Sequence, residues 1–224
     1  MVRLFLTSAQ TVVLSAVLFF ASCSYAQPAN LTGQNAVTFS PLSLMGIDYS
    51  FQAGFERRLS KKLAIVQEAG YIFGSNYIGA WRNNVRYVRG LLFRPSIKII
   101  LNERRSSYVQ SQIFYKQVTH HMRDWLQFNV MNGVPAYEKL ENFRYRRKVY
   151  GFNFITGRIV PLSVNSRLNL EAYVGIGIRV KREKVVDKRN VEYNRPGRFI
   201  LSDRDGPIVL PQIPLCLRLF FYLN

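Results

Sequence analysis

The chain is short of cysteine, of acid and of long apolar runs. Its two cysteines, Cys23 and Cys216, are too few for a disulfide scaffold. Only 13 acids stand against 31 Lys and Arg, which leaves a formal charge of +18. Histidine occurs twice, as the neighbours His120-His121. No internal repeat or low-complexity segment stands out, and no phosphate-cradling loop is present. Gly175 and Gly177 lie inside an alternating run, not ahead of a helix. What is plentiful is apolar and aromatic: 48% and 14% of the 224 residues, far too much for a disordered chain. The length suits one ordinary domain or a single barrel. The cationic excess points to nucleic acid, an acidic polymer or an anionic membrane surface.

The first thirty residues choose among those partners. Met1 to Arg3 make a short positive start, and Thr11 to Ser22 form an apolar run followed by small residues ending Ser24-Tyr25-Ala26. This is the layout of a secretory signal, cut after Ala26. The apolar run falls short of the roughly 20 residues that a spanning helix needs. A rival cut exists, because Phe20-Ala21-Ser22-Cys23 resembles a lipoprotein box. Cleavage after Ala26 leaves Cys216 alone, so the mature chain must hold together without an internal disulfide. The expected organisation is a signal peptide over 1–26, a flexible leader over 27–34 and one β-domain over 35–224. An exported chain does not meet nucleic acid, and beyond the signal no stretch approaches the ~18 apolar residues of a transmembrane helix.

Alternation dominates the remainder. In Leu168 to Lys181 one phase holds Leu168, Leu170, Ala172, Val174, Ile176, Ile178 and Val180. The other holds Asn169, Glu171, Tyr173, Gly175, Gly177, Arg179 and Lys181. Met45 to Glu56 and Leu91 to Leu101 repeat the pattern, which is that of strands with two unlike faces. Their length exceeds the globular mode of about 5 to 6 residues and matches tilted membrane-spanning strands. Weaker candidates are Asn35–Leu42, Leu63–Phe73, Ser107–Gln117, Lys148–Ile159 and Ile213–Tyr222, which complete an even set. The connectors Leu59–Lys62, Asn102–Ser106 and Pro161–Ser166 are short. Gly74–Arg89, Val118–Arg147 and Arg182–Val209 are long and polar. Short turns on one side and long loops on the other are the habit of outer-membrane barrels.

These features predict an all-β fold, an eight-stranded antiparallel up-and-down transmembrane β-barrel in the outer membrane. A soluble, lipocalin-like ligand-binding barrel would instead turn the apolar phase inward. The polar phase argues against it. Glycines suit a crowded small-barrel interior, and Glu68, Arg94, Lys98, Glu171 and Arg179 can pair across it as a charge network. An Arg or Lys on the lipid face would cost roughly 2–4 kcal/mol. Such an interior is filled, so no wide pore is expected.

Several segments together resemble a domain-of-unknown-function family of small exported outer-membrane β-barrels, similar in build to the OmpA/OmpX type. They are Asn35–Leu44 (NAVTFSPLSL), Phe55–Leu59 (FERRL), Arg89-Gly90 before the Leu91 strand, Leu170–Gly177 and the closing Leu215–Phe221. The resemblance implies location, fold and assembly by the barrel-insertion machinery. It brings no catalytic residue. Barrels of that build end on an aromatic, whereas here Tyr222-Leu223-Asn224 follow Phe221.

Candidate chemistry is sparse. His120-His121 with Asp124 invites a metal reading, but adjacent strand residues point to opposite faces and no further ligand completes a shell. A lipid-modifying enzyme needs a nucleophile beside a base, and no motif pairs Ser111 or Ser163 with either histidine. No cofactor motif is present. The basic residues are the better lead. Arg82, Arg86, Arg123, Arg144, Arg146 and Arg147 fall in the expected outer loops, where they can meet lipopolysaccharide phosphates or a surface partner. Arg57, Arg58, Lys61 and Lys62 suit phospholipid headgroups at the first inner turn. The function expected is therefore non-enzymatic, structural or surface-interacting.

Overall fold

The computed structural model describes residues 35–45, 47–75, 85–102, 106–129, 131, 134–162, 167–186, 191–192 and 207–223. The expected signal segment and leader lie outside these residues, as do Arg82 and Ser163. The described chain is all-β. Its strands are β1 (Asn35–Phe39), β2 (Asp48–Arg58), β3 (Leu63–Ser75), β4 (Val85–Asn102), β5 (Ser107–Phe128) and β6 (Tyr137–Pro161). They continue with β7 (Leu168–Val185), β8 (Val191–Glu192), β9 (Ile208–Gln212) and β10 (Leu215–Leu223). A single 3-10 turn, Pro41–Leu44, follows β1.

The strands form one antiparallel sheet that closes on itself. Each of β1 to β7 pairs with its sequence neighbour, and β10 pairs with both β1 and β7. β9 and β10 lie one after the other along β7, interrupted at Ile213-Pro214, because Pro214 has no N–H to give the ladder. Seven neighbours plus this interrupted strand make eight positions around the ring. One end carries the tight turn Leu59–Lys62, and the other carries the tip of the β5–β6 hairpin.

Which phase faces inward is settled by burial. Ile176, Ile178, Phe152, Phe154, Ile97, Ile99 and Ile113 are all exposed on the outside of the ring. Glu56, Glu68, Lys98, Gln110, Gln112, Asn153, Asn169, Glu171 and Arg218 are buried inside it. The apolar phase of each long alternating run faces out, as its pattern predicts, and the arrangement is the inverse of a soluble lipocalin-like barrel. Close approach across the crowded interior explains one glycine directly. Gly157 opposes Tyr108, and a Cβ there would lie 2.5 Å from the Tyr108 ring and 2.8 Å from the Ala172 carbonyl.

The structure corrects several boundaries. β1 stops at Phe39, and Pro41 starts the 3-10 turn, so the second strand begins at Asp48 and not at Met45. The supposed loop Val118–Arg147 is mostly strand: β5 runs on to Phe128 and β6 starts at Tyr137. The reason is packing. Met122, Leu126, Phe143 and Tyr145 form a buried cluster on the inner face, with Val85, Phe128 and Val185 against it. β4 likewise begins at Val85, inside the expected loop Gly74–Arg89, and β7 continues to Val185. Tyr108, at the start of β5, is buried inside the ring.

Candidate functional sites: the charged interior and the outward cations

The interior is filled by a chain of ionic contacts drawn from β2, β3, β4, β7 and β10. Inward residues on these strands alternate with apolar outward ones, so each polar side chain finds its partners along its own strand, on the neighbouring strand or across the ring. Lys98, fully buried, places Nζ 2.5 Å from Glu56 and 2.6 Å from Glu171. The same ammonium lies 4.4 Å above the centre of the Tyr108 ring. Arg218 meets Glu68 at two points, both at 2.8 Å, and also reaches Glu171 and the Tyr173 hydroxyl at 3.2 Å. Arg94 continues the chain through Gln52 at 2.9 Å and Glu68 at 3.9 Å. At the turn end, Arg58 donates to the Tyr222 hydroxyl at 3.3 Å and lies 4.0 Å from Glu56.

Four of the five residues predicted for an interior network are therefore brought together: Glu68, Arg94, Lys98 and Glu171. Arg179 is not among them; it lies further toward the hairpin end and makes no ion pair among the described residues. Glu56, Arg58 and Arg218 belong to the network and were missed. Glu56 and Arg58 carry a signal in the sequence, since both share the polar phase of the Asp48–Arg58 run. Arg218 sits between Leu217 and Leu219 in an otherwise apolar strand, and its inward phase is its only mark.

A second ionic group closes the hairpin end of the lumen. Asp48 pairs with Arg147 and, at 2.7 Å, with Lys116. Arg147 is buried and inward, so its expected place in an outer lipid-contacting loop is corrected: it is a residue of β6 whose side chain takes the interior phase. Arg58 is corrected in the same way, being inside the ring, whereas Arg57, Lys61 and Lys62 are exposed at the turn end.

On the outer surface the strand register arranges the cations in order. Phe93, Tyr115, Tyr150 and Val180 occupy one cross-strand row over β4 to β7. The next row toward the hairpin end is Leu91, Gln117, Lys148 and Arg182. The one after is Arg89, Thr119, Arg146 and Lys184. Arg144 follows, opposite His121. Across these three rows the outward face changes from aromatic to cationic and contains no acid. Inside the ring, buried apolar residues continue on both sides of these rows, with Tyr108, Ile155, Ile159 and Tyr173 on the turn side and Met122, Leu126, Phe143 and Tyr145 on the hairpin side. No bulge separates the two regions in β5–β6, whose register is continuous from Ser107 to Phe128. The outward apolar run thus ends at these rows while the pleat stays in step.

The remaining sequence candidates are scattered. Arg86 and Arg123 are exposed, Arg123 on the hairpin beyond the cationic rows. Lys139, nearer the tip, lies 2.8 Å from Glu141, and this hydrogen bond holds its ammonium above the ordinary lysine range. His120 is buried inside, and His121 lies outside, stacked on Tyr87 with ring centres 3.8 Å apart. Ser111 is outward on β5, several strand steps from either histidine. Among the described residues no group of three or more His, Cys, Asp or Glu is placed to hold a metal ion.

Comparison with family models, with curated proteins and with solved structures finds no match for this chain.

Proposed function

We propose that the chain is an exported outer-membrane protein, an eight-stranded up-and-down β-barrel with a plugged, ion-paired lumen. Its role is non-enzymatic, and its outward cations hold lipopolysaccharide phosphates. The observation that carries this reading is the outward apolar band around an ion-paired interior, which ends at one set of register rows with cations directly beyond it. A strand in hydrocarbon turns its apolar residues to lipid, and the same strand in water turns them to its own core. The outward apolar run on β4, Leu91 to Leu101, spans about 34 Å along the strand at ~3.4 Å per residue. With a strand tilt of roughly 40° that becomes about 25 Å, the height of an outer-membrane apolar band.

Cations directly beyond an aromatic row suit the anionic surface of a lipid layer. Arg89, Arg144, Arg146, Lys148, Arg182 and Lys184 offer charge-assisted hydrogen bonds to phosphates, and Arg57, Lys61 and Lys62 offer the same to phospholipid at the turn end. On this reading the chain is inserted by the barrel-assembly machinery, as the resemblance to small exported barrels implies. The test is envelope fractionation with an alkaline carbonate wash, then gel migration of boiled and unboiled samples. Retention in washed outer membrane with a heat-dependent mobility shift is expected, and release into the wash without a shift would overturn the reading. For the lipid contact, the combined R144E, R146E and K148E variant is expected to bind lipopolysaccharide more weakly. Undiminished binding would remove that part while leaving the barrel.

A further inference from the structure

Among the described residues the ring has an opening in its side at the hairpin end. β1 ends at Phe39, so among these residues β2 above Ala53 has β3 as its only strand partner, and β9 pairs with β7 alone. The 3-10 turn stands between them. It bonds to β2, with Ser43 Oγ donating to the Ser50 carbonyl at 2.6 Å and the Ser40 amide donating to the Gln52 carbonyl at 3.2 Å. On its other side a cavity of about 440 Å³ runs from Leu42, Ile47 and the Ile213-Pro214-Leu215 break into the lumen.

Its inner walls are cationic: Arg94, Lys116, Arg147, Arg179 and Lys181 line it, and Asp48 is the one carboxylate residue among the described lining residues. Glu68 stands behind Arg94, and Glu183 lies 3.4 Å from Lys181. Among the described residues, even with those two acids assigned to those two cations, Lys116, Arg147 and Arg179 exceed Asp48 by two charges. Arg179 lines this space with its side chain still exposed, and it has no hydrogen bond or ion pair among the described residues. Like charges gathered in one partly enclosed cavity repel one another. A doubly charged anion relieves that repulsion, and guanidinium forks fit phosphate oxygens two at a time. The side opening is the complementary feature: Leu42, Ile47, Ile213 and Leu215 are apolar, exposed and next to the charge.

We propose that this cavity binds a phosphate group, presented either by a lipid headgroup through the apolar side opening or by a soluble phosphate from the hairpin end. The site is inside the ring and separate from the outward cations, which project from the opposite face of the same strands.

The test uses the full chain folded in a maltoside detergent, titrated with inorganic phosphate and separately with dihexanoyl phosphatidic acid. Binding is followed by phosphorus NMR and calorimetry. The variant R179Q/K181Q changes two lining residues outside the Lys98–Arg218 network, and its heat-dependent gel shift reports folding. Saturable binding by the parent is expected, weakened at least about tenfold in R179Q/K181Q, the scale of one lost charged hydrogen bond. It is expected to persist in R144Q/R146Q/K148Q, which alters only the outer face. Tighter binding of the lipid probe assigns the phosphate to the membrane, and equal binding assigns it to a soluble source; each supports the site. Absence of saturable binding by both probes would overturn the proposal. So would unchanged affinity in folded R179Q/K181Q, or loss of binding in the outer-face variant alone.

Discussion

Lys98→Met probes the interior most sharply, because one ammonium serves two carboxylates. Nζ lies 2.5 Å from Glu56 and 2.6 Å from Glu171, and all three side chains are almost wholly buried. Methionine nearly preserves the volume, so little of the effect comes from a void. Glu171 keeps Arg218 at 3.2 Å, but Glu56 is left with Arg58 at 4.0 Å. Stranding one buried carboxylate in this way costs about 3–5 kcal/mol. That is a large fraction of an ordinary domain's stability of roughly 5–15 kcal/mol. The partner experiment removes the stranded charge. K98M/E56Q should recover about 2 kcal/mol of the loss, because the orphaned ion is gone and Glu171 remains paired. Reversible urea unfolding in lipid vesicles measures both, with the unboiled gel band as the folded marker. A K98M cost under about 1 kcal/mol, or a double variant no more stable than the sum of the singles, would refute the reasoning.

Other perturbations test separate parts of the account. Ile176→Arg, on the outer apolar band, should cost about 2–4 kcal/mol in the same unfolding assay. Trp125→Arg, outward beyond the cationic rows, should stay within about 0.5 kcal/mol, and equal costs at the two sites would contradict a lipid face. Gly157→Ala should destabilise by about 1–3 kcal/mol through the clash with Tyr108 and the Ala172 carbonyl, and a neutral result would mean the ring shifts freely. Reversing Arg144, Arg146 and Lys148 should reduce lipopolysaccharide capture. Arg147→Glu should instead lower the unfolding midpoint, because that side chain meets Asp48 inside the ring.

The sequence made the banded strands legible because an apolar outer face and salt bridges inside impose opposite demands on successive residues. Leu168–Lys181 and Leu91–Leu101 therefore show both their strand character and the face each residue takes. Glu68, Lys98 and Glu171 could be assigned to the interior from the same phase. Legibility failed where that opposition weakens. Along Val118–Phe128 the outward residues Thr119, His121 and Arg123 are polar, but so are the inward His120 and Asp124, and the stretch reads as a loop. The inward Met122 and Leu126 carry the remaining signal. Met122 comes opposite Phe143, and Met122 and Leu126 join the cluster with Phe143 and Tyr145, only after pairing, which a linear reading does not supply. Arg147 failed for a related reason. In the run Arg144-Tyr145-Arg146-Arg147-Lys148 charge masks parity, and only the position relative to Tyr145 and Val149 shows that Arg147 points inward. The side opening was hidden because it arises from where β1 stops, a consequence of Pro41 that composition does not reveal.

The most direct measurement of the central claim places spin labels on the outer face in a Cys216→Ser background and reconstitutes the protein in vesicles. Labels replace Ile99, Ile113, Phe154 and Ile176 on the apolar band, and Arg123 beyond the cationic rows. Oxygen, which concentrates in hydrocarbon, should relax the first four strongly, while a water-soluble nickel chelate should reach only the label at position 123. Equal access of the nickel chelate to all five positions would place the apolar face in water and contradict the membrane barrel.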